Sequence, residues 1–219
     1  MLELGSGSGR VLGALAAPGR TLWGLELDPS LLRLGRAAVT ALPPATRGDV
    51  QLRRGDMRSF VLPRRFERVI LPYNALYCLL RPRDAERCFL AVRAALEPGG
   101  TFAFDVWNAD RLHEEGLAPM EDDEPIAAFG YGGRKWRVFE RCRRARGAQR
   151  LDVTYTYVPD GRGAARSQVI EQRYYLSSEL FALLRKCGFA VQSKQGSFPG
   201  TRTYPRGARL VVTAKAAVR

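Results

Sequence analysis

The sequence predicts an α/β protein built on a doubly wound, mainly parallel sheet with helices on both faces, plus an antiparallel β-rich insertion. Three observations carry this. Short apolar strands alternate with helical patterns through the first half of the chain, a rhythm that requires right-handed crossovers between parallel strands. A glycine-rich turn, Gly5-Ser-Gly-Ser-Gly9, separates the first strand from the first helix. After Trp107 the pattern changes to extended runs of alternating character.

Taken in order, Met1–Leu4 is apolar apart from Glu3 and reads as the first strand. A helical stretch runs from Arg10 to about Ala17 and is stopped by Pro18-Gly19. Thr21–Leu27 is the second strand. Asp28-Pro29-Ser30 then starts a helix that reaches about Leu42, ahead of Pro43-Pro44. Val50–Arg53 is the third strand, ending at Gly55-Asp56, and Phe66–Leu71 is the fourth. Asp84–Leu96 is helical and is closed by Pro98-Gly99-Gly100, after which Thr101–Trp107 forms the fifth strand. Asn108–Pro125 is polar and acidic. Three extended runs follow, Lys135–Arg144, Arg150–Val158 and Ser167–Tyr175, with Pro159-Asp160-Gly161 turning between the last two. Ser177–Lys186 is helical, capped by Ser177 or Ser178 and ended by Cys187-Gly188. Phe189–Gln195 and Arg209–Ala214 finish the sheet. No internal repeat is present.

A length of 219 residues suits one domain, 1–219, with the β-rich insertion at 108–175 as a lid or substrate region. With 46% hydrophobic residues the chain can bury a core, which excludes a disordered or low-complexity polymer. No apolar run approaches the roughly 18–20 residues that a membrane span needs, and no basic-then-apolar signal segment opens the chain. Cys78, Cys88, Cys142 and Cys187 form no CxxC pair and have one histidine, His113, for company. That pattern predicts scattered reduced thiols, no metal site and a cytoplasmic location.

The net charge of +13 is unevenly placed. Residues 1–125 hold 16 Arg against 17 acidic side chains, whereas residues 126–219 hold 15 Arg and 4 Lys against 5. The densest basic stretch, Arg134–Arg150, has the footprint of a nucleic-acid contact. A bias of 31 Arg to 4 Lys explains a high charge equally well.

The glycine loop lets the backbone turn sharply and brings main-chain N–H groups within reach of a nucleotide-sized ligand. Its G-x-G-x-G spacing is neither the G-x-G-x-x-G dinucleotide fingerprint nor a P-loop, and alone it also fits a plain flexible turn. About twenty residues on, Glu26 ends the second strand, where a carboxylate can accept from both ribose hydroxyls. Asp56 ends the third, where it can accept from an adenine amino group. Glu3, Glu26 and Asp56 all fall along the carboxyl edge of the sheet, the ligand edge of open α/β folds.

The segments LELGSGSGR, GLELDPSLL, GDMRSF, FERVILPYNAL and LEPGGTFAFDV, in that order, resemble the motif series of class I S-adenosylmethionine-dependent methyltransferases. The end of the chain, YYLSSELFALLRKCGFAV and then RLVVTAKA, resembles that family's last helix and closing hairpin. The resemblance implies a Rossmann-like sheet of seven strands whose last strand is antiparallel, and S-adenosyl-L-methionine as cofactor. It assigns Glu3 and the loop Gly5, Ser6, Gly7 and Gly9 to the methionine part of the cofactor. It gives Glu26 the ribose hydroxyls, sets Leu27 against the adenine, brings Asp56 and Met57 to the adenine edge, and lines the path to the methyl group with Leu71 to Asn74. In this family one or two helices normally precede the glycine-loop strand. Here Met1 already sits inside that strand, so the expectation is an internal start or a truncation, with cofactor affinity open to measurement.

Leu71-Pro72-Tyr73-Asn74 is similar to the Asp/Asn-Pro-Pro-Tyr motif of enzymes that methylate exocyclic amines of DNA, but lacks its first residue type and its second Pro. Tyr73, Asn74 and Tyr77 are therefore substrate-facing candidates or packing residues. His113 is a candidate general base near neutral pH or a surface residue of an acidic loop. Tyr73 is its candidate catalytic companion, and Asp105 and Asn108 are further lining candidates. The acidic run Glu121–Glu124 and the basic run fit either solvation or substrate attraction. The expected function is transfer of a methyl group to an N or O atom of a small molecule. The alternatives are an RNA or polyanion methyltransferase guided by the basic 134–150 hairpin, and a non-catalytic cofactor-binding remnant. Oligomeric state has no signature in the sequence.

Overall fold

The computed structural model describes residues 1–115, 125–198 and 208–217. The chain forms two compact units. The first comprises Met1–Leu76, Arg81–Asn108 and Ser177–Arg219, the second Tyr77–Leu80 and Ala109–Leu176.

In chain order the elements are β1 (Leu2–Leu4), α1 (Arg10–Leu15), β2 (Thr21–Glu26), α2 (Pro29–Thr40), α3 (Pro44–Arg47), β3 (Asp49–Arg54), β4 (Phe66–Leu71), α4 (Pro82–Ala95) and β5 (Leu96–Trp107). Then come α5 (Ala109–Glu115), β6 (Ala127–Tyr131), β7 (Arg134–Ala145), β8 (Arg150–Pro159), β9 (Arg166–Arg173), α6 (Ser177–Lys186), β10 (Phe189–Gln195) and β11 (Arg209–Ala216).

The first unit is a seven-stranded sheet in the order β10-β11-β5-β4-β1-β2-β3. Strands β1 to β5 pair in parallel, and β11 runs antiparallel to both β5 and β10. The last strand is thus the reversed one, as the family resemblance implied. Central β1 is buried along its whole length, flanked by β2 and β4. One layer of the core joins Leu12 of α1, Leu22, Leu32 and Val39 of α2, and Leu52. An aromatic cluster is built on β5 and α4: Phe89 meets Phe102 at 5.4 Å, and Phe102 meets Phe104 and Phe189 at 5.4 and 5.6 Å. Helix α2 starts where the sequence placed it. Pro29 occupies the first turn, and the Asp28 carboxylate accepts from the N–H groups of Ser30 and Leu31 at 2.7 and 2.9 Å.

Several boundaries differ from the sequence reading. Pro43-Pro44 stops α2 but also opens the short α3, since a proline fits the first helical position. Pro98-Gly99-Gly100 does not separate helix from strand. Phe66 already pairs with Leu96, and a register shift between Phe66 and Arg68 absorbs the turn inside β5.

In the second unit the insertion has four antiparallel strands, in the order β6-β7-β8-β9, not three. β6 escaped notice because every residue in it is exposed and Gly130 interrupts its pattern. The polar segment after Trp107 contains the short helix α5. The register of β7 on β8 splits the basic run by face. Lys135, Arg137, Arg141 and Arg143 share one face, while Trp136, Val138, Glu140, Cys142 and Arg144 share the other with Tyr157, Tyr155, Val153 and Leu151. Part of that charge is neutralised within the unit: Arg137 pairs with Asp160 at 3.2 Å, Arg143 with Asp152 at 2.8 Å and Arg150 with Glu171 at 3.2 Å. Among the described residues no helix is long and apolar enough to cross a membrane.

Gly48 tests the crossover into β3. Its φ of +61° with ψ of −150° belongs to glycine, and an added Cβ would stand 2.3 Å from the Ala17 carbonyl oxygen. Gly48→Ala is expected to cost about 2–4 kcal/mol in urea unfolding, from strain and overpacking together. Gly99→Ala, whose Cβ position is open, should cost about 1–2 kcal/mol.

Candidate active site

The candidate site is assembled at the carboxyl ends of β4, β1, β2 and β3, which are neighbours in that order in the sheet. Gly5, Gly7 and Gly9 have φ of +64°, +54° and +77°, so the loop between β1 and α1 coils through conformations that other residues adopt only at a cost. Its backbone is anchored by Ser6 N–H on the Leu25 carbonyl at 3.0 Å and Gly9 N–H on the Ser6 carbonyl at 2.9 Å. Glu26 completes the anchoring. One carboxylate oxygen accepts from Gly7 N–H at 2.7 Å and the other from Asp28 N–H at 2.9 Å. The buried carboxylate therefore ties the glycine loop to the turn after β2, with lone pairs left for further donors.

The loop also rests on α2. A Cβ on Gly9 would lie 3.4 Å from the Gly35 Cα, and one on Gly35 would lie 3.1 Å from the Gly7 carbonyl oxygen. Sequence reasoning missed Gly35. The available signal was a glycine in register with the buried Leu32 and Val39 of the same helix.

Glu3 is buried and one of its carboxyl oxygens (Oε2) has no hydrogen-bond partner; the Ser6 hydroxyl is likewise buried and unpartnered. Burial pushes the Glu3 carboxyl up to about 8; Glu26 adds to the rise, while the Arg10 charge and a bond from the Leu12 backbone oppose it. Buried acceptors without partners suit a ligand that brings a cation and hydroxyl donors, which is the donor set of the cofactor implied above. Leu27 is 54% exposed next to Glu26 and offers an apolar surface at the same edge.

Asp56 differs from expectation. Arg58 holds its carboxylate, with Nε at 3.0 and 2.9 Å from the two oxygens, Nη2 at 2.5 Å and its own N–H at 2.8 Å. These bonds lower the Asp56 pKa below the usual carboxylate range and occupy most of its acceptor sites, so it is not the free acceptor that the sequence suggested. Met57 follows it, half-buried.

The turn after β4 departs further. Tyr73 and Asn74 have φ of +64° and +59°, two consecutive left-handed residues that are not glycine, at a cost of order 1–3 kcal/mol each. Tyr73 is 70% exposed, with the Arg10 guanidinium 4.5 Å from its ring centroid. Asn74 is buried, and its side-chain oxygen accepts from Trp107 N–H at 2.8 Å. Its side-chain oxygen thus serves the turn. Leu71 is wholly buried in the sheet and so contributes no side chain to a path.

Tyr77 and His113 belong to the second unit. Tyr77 is also wholly buried, packed on Tyr175 with ring centroids 6.4 Å apart, which makes it a core residue. His113 lies on α5, with Nδ1 3.0 Å from the Tyr174 hydroxyl, and Arg144 caps the same helix by donating to the Leu112 and His113 carbonyls. Asn108 is buried at the end of β5, its N–H on the Ala208 carbonyl at 3.0 Å. Glu121–Glu124 lie outside the described residues. Among the described residues no group of three or more His, Cys, Asp or Glu side chains is arranged to hold a metal. A separate cavity of about 590 Å³, lined by Arg65, Leu90, Arg93 and Glu97 among others, opens at the opposite, amino edge of the sheet.

Residues 1–100 match a family described as a methyltransferase domain. The chain is 24% identical over 205 residues to the dTDP-3-amino-3,4,6-trideoxy-alpha-D-glucopyranose N,N-dimethyltransferase of Streptomyces venezuelae, covering 91% of this chain and 79% of that one. The CcbJ methyltransferase of Streptomyces caelestis superposes with a TM-score of 0.80 at 25% identity, over 99% of this chain and 83% of that one. CalS10, an amino pentose methyltransferase from Micromonospora echinaspora, has the same fold, with a TM-score of 0.70 at 23% identity over 99% of this chain and 82% of that one.

Glu3 makes stability depend on pH. With a pKa near 8 when folded and near 4.5 when unfolded, the folded chain binds more protons between those values. Stability therefore falls as pH rises through that window and levels off above it. Thermal melts of the ligand-free wild type and Glu3→Gln should nearly coincide at pH 5, with the wild type melting several degrees lower at pH 9.

Proposed function

We propose that the chain is a class I S-adenosylmethionine-dependent methyltransferase whose acceptor is an amine nitrogen on a small molecule. One observation carries the cofactor half of this reading: the buried acceptor set of Glu3, Ser6 and Glu26 beneath a loop of left-handed glycines. The acceptor half is supported by the 24% identical relative of Streptomyces venezuelae, an N,N-dimethyltransferase of an amino sugar of which this chain covers 79%.

In this reading Glu3 and the loop amides hold the methionine end of the cofactor. The remaining lone pairs of Glu26 take the ribose hydroxyls, and Leu27 and Met57 bracket the adenine. The bound cofactor supplies an electrophilic methyl group on a sulfonium, which needs no metal to activate it. What the protein adds is alignment and exclusion of water. The nitrogen must reach the site unprotonated, so a base that works near neutral pH is useful. His113 is proposed for that role. Its Nδ1 is 3.0 Å from the Tyr174 hydroxyl; in the tautomer whose Nδ1–H donates to that oxygen, Nε2 is the nitrogen that can take a proton.

The basic hairpin gives weaker support to a polyanion substrate, because Arg137, Arg143 and Arg150 already face carboxylates of their own sheet. A cytoplasmic location is part of the proposal and fits the four free cysteines.

Calorimetry with S-adenosylhomocysteine should show binding that Glu26→Ala weakens at least about 10-fold, the loss expected for hydrogen bonds to a charged group. Absence of binding by the wild type sinks the reading. With dTDP-3-amino-3,4,6-trideoxy-α-D-glucopyranose as acceptor, the wild type should release S-adenosylhomocysteine, and His113→Asn should lower kcat by about 10²–10⁴-fold. Turnover on RNA but on no amine would replace this substrate class with the polyanion.

A further inference from the structure

We propose that Arg209 and Asp105 are positioning residues for methyl transfer, locking the Pro72-Tyr73-Asn74 turn in its left-handed conformation so that the Tyr73 ring is held at the carboxyl edge. The proposal rests on the preceding reading of that edge as the methyl-transfer site.

Two adjacent left-handed residues persist only where their surroundings over-determine them, and here the surroundings do so by direct bonds. Asp105 supplies two of them. Its carboxylate accepts from Tyr73 N–H at 2.9 Å, and its backbone carbonyl accepts from Asn74 N–H at 3.1 Å. The Asn74 side chain returns a third bond by accepting from Trp107 N–H at 2.8 Å. All three tie the turn to β5.

A carboxylate as buried as that of Asp105 needs a counter-charge. Arg209, the first residue of β11, provides it by donating to the second Asp105 oxygen, and it lies 3.4 Å from the Asn74 side-chain oxygen. Arg209 pairs with Trp107 in the sheet register, which sets its backbone across from the strand end that carries the lock. The device spans three strands, and its product is one exposed aromatic ring. Tyr73 is 70% exposed and is not packed into the core. A turn needed only to connect elements would use glycine there without strain. Strain maintained by a buried ion pair and spent on presenting an exposed tyrosine has a positional purpose.

The test compares Arg209→Met, Arg209→Lys and Asp105→Asn with the wild type. It reads amide hydrogen exchange at Tyr73 and Asn74, S-adenosylhomocysteine affinity, and steady-state transfer to dTDP-3-amino-3,4,6-trideoxy-α-D-glucopyranose. Arg209→Met is expected to speed exchange at Tyr73 and Asn74 at least about 10-fold, leave the amides of Phe102 and Phe104 unchanged, and keep S-adenosylhomocysteine affinity within about threefold. It should lower kcat at least about 10-fold with KM for the cofactor nearly constant, and Arg209→Lys should restore most of the loss. Asp105→Asn keeps an acceptor for Tyr73 N–H but removes the charge pair. It should show the same pattern more weakly, and it decides the matter if Arg209→Met does not fold. Unchanged exchange and kcat in an active, folded variant overturn the proposal alone, as does a loss of protection spread evenly over the sheet. A wild type that neither binds S-adenosylhomocysteine nor methylates the amine overturns the underlying reading and the proposal together.

Discussion

The first unit turns on one buried carboxylate. Glu26 accepts from Gly7 N–H on one side and Asp28 N–H on the other, so it fixes at once the glycine loop and the turn into α2. A loop with three left-handed glycines has many conformations open to it. The Glu26 bond, the anchoring of Ser6 on Leu25 and the backbone contact with Gly35 select one of them. Because Asp28 also caps α2, the strand-end acid, the helix start and the ligand loop are parts of a single hydrogen-bonded assembly.

That assembly leaves a deliberate imbalance. Glu3 beside the loop and Ser6 within it each keep a buried polar atom without a partner. Glu3 is held protonated by burial up to about pH 8, and a bound cation would reverse that preference. Under the proposed function, this local cost in the ligand-free chain falls where the cofactor's charge and donors would be received.

Much of this could be read in the chain because the signals are local. The Asp28-Pro29 start of α2, the glycine loop and Glu26 each depend on neighbours within a few residues or on the strand rhythm. What escaped depends on tertiary partners or on side-chain choice. Asp56 looked free, yet Arg58 two residues later folds back on it, a rotameric outcome that no spacing announces. Leu71 and Tyr77 sit in a promising motif, but packing from both sides buries them. β6 has no buried face and hence no alternation to detect. Gly35 was visible as a letter in a helix, but its contact with Gly9 is known only once α1 and α2 meet. Arg209 was one of 35 basic residues, and its partner Asp105 is 104 positions away.

The reversed direction of β11 has a consequence for how the molecule is made. Parallel strands deliver their last residues to the ligand edge, whereas an antiparallel strand delivers its first, which is how Arg209 arrives beside Asp105. β11 is also an interior strand, inserted between β5 and β10. During synthesis β1 to β5 emerge first and can begin to pair, yet the edge of β5 stays open, and the Asp105 carboxylate unneutralised, until residues near position 209 leave the ribosome. Completion of the ion pair thus coincides with closure of the sheet, and a nascent chain released early would carry the glycine loop without the lock on Tyr73.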